Sequence, residues 1–223
     1  MSVMYKDADV AIQESAPVIE KTTTNEKTGY RVAKRTMDIF CSSIALIVLL
    51  PLLIISCIAI VAYDFGSPFY LQDRVGKDGK KFKIFKLRTM RKNAHQLREM
   101  LKDMNESEGA TFKVKKDPRI TKPGEFLRKT SIDELPQLIN IIKGDMSIIG
   151  PRPFIPEEQA ELPDDRLCVK PGLSCYWQIS GKNSLSKEQQ IELDRKYIKE
   201  RSVFVDIGII IKTVLFVFKI GNS

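Results

Sequence analysis

FCSSIALIVLLPLLIISCIAIVAY, running from Phe40 to Tyr63, carries no charged side chain, and how it is read decides the fold. About 20 apolar residues suffice to cross a bilayer as a helix, so length alone describes a span. The stretch begins too deep in the chain, runs too long and lacks an A-x-A-like site, which excludes a cleaved signal peptide. Pro51 sits at its middle, where it removes an N–H and pushes the preceding residue away from helical geometry. Both flanks are basic, with Lys34 and Arg35 before and Arg74, Lys77, Lys80, Lys81, Lys83 and Lys86 after. Lys and Arg mark the cytoplasmic side of a membrane segment, so two basic flanks place both ends there. A helix–break–helix that enters one leaflet and returns meets both constraints. Each half, roughly 12 residues or about 18 Å of helix, falls short of a hydrocarbon core of about 30 Å. A proline-kinked spanning helix fits the same residues, since proline is common in membrane helices. Ser42, Ser43 and Ser56 are placed either to satisfy carbonyls freed at the break or simply to pack.

The 223 residues suffice for one domain with a sizeable core. A net charge of +8 and a pI near 9.2 imply an anionic partner: nucleic acid, lipid headgroups or a phosphorylated small molecule. Cys41, Cys57, Cys168 and Cys175 show no C-x-x-C spacing, which argues against a zinc site or disulfide framework and for reduced thiols. The single histidine, His95, stands among Arg91, Lys92 and Arg98 and reads as solvated helix surface, so a histidine general base is excluded.

Further on, RKTSIDELPQL, Arg128 to Leu138, sets an adjacent carboxylate pair, Asp133 and Glu134, where a helix is expected to begin. Cations stand around it at Arg128, Lys129 and Arg152. A carboxylate that attacks phosphorus must be ionised, and the charge of its substrate must be neutralised. A helix N-terminus favours the anion, and the planar fork of arginine holds phosphate oxygens. In chemical terms this is a phosphoryl-transfer site with a carboxylate nucleophile. The same residues also spell a capping box, Ser131-x-x-Glu134, in which first-turn acids are ordinary. Pro136 leaves the register open: it is tolerated if Asp133 caps the helix and costs a hydrogen bond if Ser131 does.

Residues 1–30 are polar and aperiodic and read as a flexible arm. Two strands joined at Gly76 to Gly79 are expected in FYLQDRVGKDGKKFKIFKLRTM, with Lys81, Lys83 and Lys86 on nearly one face. Lys81 and Lys83 suit anionic headgroups as well as substrate. The spacing predicts helices over Asn93–Met104, Gly124–Lys129, Asp133–Lys143 and Ser186–Arg201, and a loop from Glu106 to Pro118. Gly150-Pro-Arg-Pro153 is a rigid turn that holds Arg152, and a strand is expected after Pro171-Gly172. Trp177 suits the core better than ligand stacking. Val203 to Ile220 is apolar but carries Asp206, Lys212 and Lys219, which suits an amphipathic helix at the interface or against the domain.

Taken in order, KRxxD at Lys34–Asp38, the mid-membrane Pro51, FKIFKLRTM at Phe82–Met90, DPRIT at Asp117–Thr121, RKTSIDELPQLINIIKGDMSIIGPRP and PGLSCYWQISGKN resemble one family. It is the bacterial sugar transferases, the monotopic polyprenyl-phosphate phosphoglycosyl transferases. The resemblance runs from about Arg31 to Ile220. It implies transfer of a sugar 1-phosphate from a UDP-sugar, with galactose and glucose plausible donors, to undecaprenyl phosphate. That step initiates a surface polysaccharide, such as an exopolysaccharide or capsule, or a glycoconjugate. It also implies a re-entrant membrane helix, a Mg2+ requirement and a covalent intermediate on Asp133, with Glu134 beside it. Lys86, Arg128 and Arg152 map to the phosphate-handling residues, and Arg88 and Gln178 join the expected substrate-binding set. Asp133 is also the expected metal ligand, and Lys34, Arg35 and Pro51 the membrane-anchor residues.

The architecture expected from these readings is α/β, mainly helical and membrane-associated, with a re-entrant helix and a small β-hairpin. Residues 1–30 would be the arm, 31–64 the re-entrant helix, and 65–223 the cytoplasmic catalytic domain ending in an amphipathic helix. Larger relatives carry extra membrane helices and a second domain upstream, so this chain reads as a minimal catalytic unit. The expected partners are a UDP-sugar, undecaprenyl phosphate and the inner leaflet of the bacterial cytoplasmic membrane, with a homodimer left open and no nucleic acid. Three short stretches depart from the family pattern. Ser174-Cys-Tyr-Trp-Gln178 replaces T-G-W-A-Q, Gly181-Lys-Asn183 replaces G-R-N, and Leu50-Pro51 replaces Ser-Pro. The competing class is a non-catalytic, membrane-associated basic scaffold, which would have no need of Asp133-Glu134.

Overall fold

Pro51 bends the apolar helix without ending it. In the computed structural model, which describes residues 28–94, 97, 117–180 and 185–221, α1 runs Thr28–Tyr63 with Pro51 inside. Its two arms, Thr28–Val48 and Leu50–Tyr63, meet at 58°, as expected where a ring replaces an N–H and crowds the preceding turn. Among the described residues no single helix is long and apolar enough to cross a membrane, and the two arms pass that test only as a bent pair. Ser56 Oγ donates to the Leu52 carbonyl at 2.8 Å, just past the bend. Ser42 is fully buried and packs without a hydrogen bond among the described residues.

One stripe of α1 faces the rest of the protein. Asp38, Ser42, Leu53, Ser56 and Ile60 are buried along it, while Phe40, Ile47, Val48, Ile55 and Ile58 are all more than 60% exposed. Leu53 and Ile60 share a core with Leu87 and Leu127, against which Ile132 and Leu135 pack. The cations before the apolar run are used inside the protein. Lys34 Nζ bonds Asp206 Oδ2 at 2.8 Å and the Ile149 carbonyl at 3.0 Å. Arg35 donates to the carbonyls of Ile141 and Ile142 at 2.6 and 2.7 Å, where a helix C-terminus attracts a cation.

The hairpin forms as expected. Strands β1 (Phe69–Val75) and β2 (Lys81–Leu87) pair antiparallel, with Val75 opposite Lys81. The turn places Asp78 at φ 56° and Gly79 at φ 74°, conformations that Asp and Gly tolerate best. Strand parity corrects one expectation. Lys81 and Lys83 lie exposed on one face, but Lys86, an odd number of residues away, points to the other and is drawn inward.

The long helix expected over Asp133–Lys143 is broken. Helix α2 (Lys122–Lys129) begins at Thr121, whose hydroxyl caps the Gly124 amide at 3.1 Å. A single 3-10 turn follows at Ile132–Glu134, and α3 (Gln137–Lys143) starts only after Pro136, which serves as its N-cap residue. Strand β3 (Ser147–Ile149) then pairs in parallel with β4 (Gly172–Ser174), on either side of the short helix α4 (Pro156–Gln159). The expected strand after Gly172 ends at Ser174, because Tyr176–Ile179 winds into a helical turn, α5. Helix α6 (Lys187–Glu200) opens with a capping box between Ser186 and Gln189, and α7 (Val203–Gly221) buries Asp206 completely. The fold is thus mainly helical with a small antiparallel hairpin. Residues 1–27, His95, most of the 93–104 helix, the 106–116 loop and 181–183 lie outside the described residues.

Asn140 locks α3 onto the hairpin. Fully buried, it accepts from the Phe85 amide at 2.9 Å and donates to the Lys83 carbonyl at 2.7 Å. Asn140→Ala strands both groups, each worth about 1–3 kcal/mol when buried and unpaired. Chemical denaturation is expected to show a loss of roughly 2–4 kcal/mol.

Candidate active site

The turn that carries the acid pair depends on a single unusual backbone conformation. Thr130 closes α2, and Ser131 then adopts φ 59°, ψ 16°, the left-handed region. That conformation is uncommon for a residue other than glycine and is held by its surroundings. Here Ile132 and Leu135 anchor the turn on the core that Leu53 and Ile60 of α1 share with Leu87 and Leu127. The Ser131 side chain makes no capping bond, so the capping box suggested by Ser131-x-x-Glu134 does not form. Asp133 caps nothing either and is only 8% exposed.

The two carboxylates have different surroundings. Glu134 Oε1 accepts from Lys86 Nζ and from Arg152 Nη2, each at 3.1 Å. Burial acts to raise the Glu134 pKa, but these two cations outweigh it and hold the group far below the usual carboxylate range. The Asp133 carboxylate takes no hydrogen bond from any described residue. Burial pushes its pKa up, opposed by Lys86, while the charge on Glu134 pushes it up further. One acid is therefore fixed and ionised, and its neighbour is open and destabilised as an anion.

Arg128 completes the arrangement from α2. Its Nε donates to Thr89 Oγ1 at 2.8 Å. Burial lowers its pKa, and Asp133 is the largest influence acting the other way. The Lys86 pKa is also lowered, mainly by burial, with Glu134 opposing. For Arg152 burial acts downward but Glu134 prevails, and its pKa is raised. The site thus gathers Asp133, Glu134, Lys86 and Arg152, with Arg128 within electrostatic reach.

Two residues of the expected substrate set are occupied elsewhere. Arg88 Nη1 donates to Asp64 Oδ2 at 2.9 Å and Nη2 to the Asp64 carbonyl, at the foot of α1. Gln178 Oε1 accepts from Cys175 Sγ at 3.1 Å. Trp177 lies buried with Phe154, Leu162 and Cys175, as a core residue. Sequence reasoning passed over Thr89, whose hydroxyl fixes Arg128, although it stands inside the quoted FKIFKLRTM block. Asp117 grips Arg119 through Nε and Nη2 at 2.8 and 2.6 Å, which keeps that end of the DPRIT segment in shape.

No group of three His, Cys, Asp or Glu that could hold a metal gathers among the described residues. Magnesium is ordinarily held by one or two carboxylates together with substrate phosphates. The open Asp133 carboxylate and the second oxygen of Glu134 fit that mode.

A family model described as bacterial sugar transferase matches residues 29–220, and the chain belongs to that family. The UDP-galactose-lipid carrier transferase of Erwinia amylovora is 42% identical over 200 residues, covering 86% of this chain and 42% of that protein. The undecaprenyl-phosphate galactose phosphotransferase of Salmonella typhimurium is 40% identical over 203 residues, covering 86% and 42%. Exopolysaccharide production protein ExoY of Rhizobium meliloti is 40% identical over 191 residues, covering 82% and 84%. The chain spans less than half the length of the first two relatives.

Proposed function

We propose that this bacterial sugar transferase moves a sugar 1-phosphate from a UDP-sugar to undecaprenyl phosphate, with Asp133 as covalent nucleophile. One observation carries the reading: a buried carboxylate with no hydrogen bond from the described residues, beside an acid pinned by Lys86 and Arg152. An Asp133 oxygen attacks the β-phosphorus in line. The bond from that phosphorus to the bridging oxygen breaks, and UMP leaves with the electron pair. The sugar phosphate stays on Asp133 as an acyl phosphate. An oxygen of undecaprenyl phosphate then attacks the same phosphorus, and Asp133 leaves as a free carboxylate. Arg128 and Arg152 neutralise charge on the phosphoryl oxygens, and Glu134 keeps Lys86 and Arg152 aimed at them. Magnesium, when bound to Asp133 or Glu134 and to substrate oxygens, supplies further charge neutralisation.

The names of the Erwinia and Salmonella relatives favour galactose as the sugar, and that of the Rhizobium relative favours an exopolysaccharide as the polymer it serves. Release of UMP from a panel of UDP-sugars in the presence of undecaprenyl phosphate tests the reading. No UMP from any of them would overturn it.

A dip into the inner leaflet accounts for α1. Its second arm is about 21 Å long at about 1.5 Å per residue, short of a core of about 30 Å. The exposed apolar side of both arms requires an apolar cover. Cysteines placed at the two ends of α1 are expected to resist a membrane-impermeant thiol reagent added outside intact cells. Labelling at one end only would make α1 a span.

The pKa shifts set a pH dependence. Asp133 must be ionised to attack, so activity rises as pH rises through its pKa. Burial and Glu134 raise that pKa, which moves the acidic limb of the rate profile above the usual aspartate value of about 3.9. Glu134→Gln removes one of the two raising influences, so the limb is expected to shift to lower pH while the maximal rate falls. A pH profile of kcat/KM for both proteins checks the direction.

A further inference from the structure

We propose that Arg166 is a positioning residue that fixes the catalytic arginine Arg152 through its backbone. The inference rests on the reading of Arg152 as a phosphate ligand. Arg166 is 2% exposed and lies in a 3-10 segment far from the acid pair in sequence. Nε and Nη2 both reach Asp194 Oδ2, at 3.1 and 2.6 Å, and Nη1 donates to Gln159 Oε1 at 2.9 Å. Its guanidinium lies 4.5 Å from the centre of the Phe154 ring. Nη2 also donates to the Arg152 carbonyl at 2.8 Å.

A buried ion pair is a poor source of stability, because desolvation offsets most of its attraction. Its value here lies in the bond to Arg152. The turn that carries Arg152 is held at three successive carbonyls. The Gly172 amide donates to Pro151 at 2.9 Å, Arg166 to Arg152, and Arg74 Nη1 to Pro153 at 3.3 Å. Pro151 and Pro153 lock φ on either side. A Cβ on Gly150 would stand 2.4 Å from the Lys170 carbonyl, so the turn also lies hard against the chain leading into β4. Of these holds, only Arg166 acts on the residue whose side chain meets Glu134. Arginine is needed for the task, since one ammonium cannot span Asp194, Gln159 and a carbonyl together.

A kinetic cycle tests the proposal with the full-length enzyme, UDP-galactose or whichever UDP-sugar gives turnover, and undecaprenyl phosphate. Arg166→Lys keeps a charge for Asp194 and is expected to lower kcat by about 10–100-fold, since small displacements of a catalytic group cost that much. KM for the UDP-sugar is expected to stay within about threefold. In an Arg152→Ala background the same change is expected to cost less than about twofold, because coupled residues are not additive. If Arg166→Lys does not fold, Arg166→Met with Asp194→Leu removes both charges at similar volume and carries the same cycle. Normal kcat, or an equal further loss in the Arg152→Ala background, overturns the positioning role. Normal turnover in Arg152→Ala alone would instead overturn the reading of Arg152 on which it rests.

Discussion

Asp133→Asn abolishes phosphosugar transfer and leaves the melting temperature unchanged or higher. The substitution keeps size and shape but removes the anion that attacks phosphorus. Its effect on stability follows from the direction of the pKa shift. Burial, with Glu134 adding and Lys86 opposing, holds the folded pKa of Asp133 above its unfolded value. An acid so shifted costs stability once ionised. The cost is absent below the unfolded pKa, grows as pH rises through the window between the two values, and is fully present above the folded pKa. At neutral pH a neutral amide relieves it. A helix-capping aspartate would behave in the opposite way, losing about 0.5–2 kcal/mol on substitution while leaving the chemistry intact. Thermal melts and transfer assays on one preparation separate the two roles. Retained activity with a lowered melting temperature would assign Asp133 to structure.

Arg152→Ala is expected to reduce kcat/KM by about 10²–10³-fold, the usual cost of losing one charge-stabilising donor in an active site. Two losses combine. The phosphoryl oxygens lose a cation, and Glu134 keeps only Lys86 on Oε1. Lys at the same position restores charge but not the fork, so Arg152→Lys should recover only part of the rate. Steady-state kinetics on both variants measure this, and near-normal rates would limit Arg152 to its ion pair with Glu134.

Features that rest on local chemistry were legible in the sequence. Pro51 marked the bend, Asp78-Gly79 the hairpin turn, and Ser186 the start of α6. The acid pair and its cations stood out because phosphoryl transfer needs those residue types together. Features set by long-range packing were not legible. Nothing local distinguishes Ser131 from a capping serine, because its left-handed backbone accompanies the packing of Ile132 and Leu135 on the core of Leu53, Ile60, Leu87 and Leu127. Lys34 and Arg35 look like the flank of a membrane segment, yet Asp206 and the carbonyl end of α3 take them up from more than 100 residues away. Arg88 is likewise drawn to Asp64, 24 residues earlier, whereas Gln178 meets its near neighbour Cys175. Lys86 parts from Lys81 and Lys83 once the pairing register is known. The contrast between a pinned Glu134 and an open Asp133 is wholly tertiary, since adjacent residues in one turn share almost every local property.

The proposed covalent bond between Asp133 and the sugar phosphate can be trapped. The enzyme is incubated with the UDP-sugar that supports turnover, without lipid acceptor, then quenched, digested and analysed by mass spectrometry. One UMP is expected to be released per enzyme, with a sugar-phosphate adduct on the peptide containing Asp133 that is absent in Asp133→Asn. An adduct on another residue, or UMP release that waits for undecaprenyl phosphate, would contradict it.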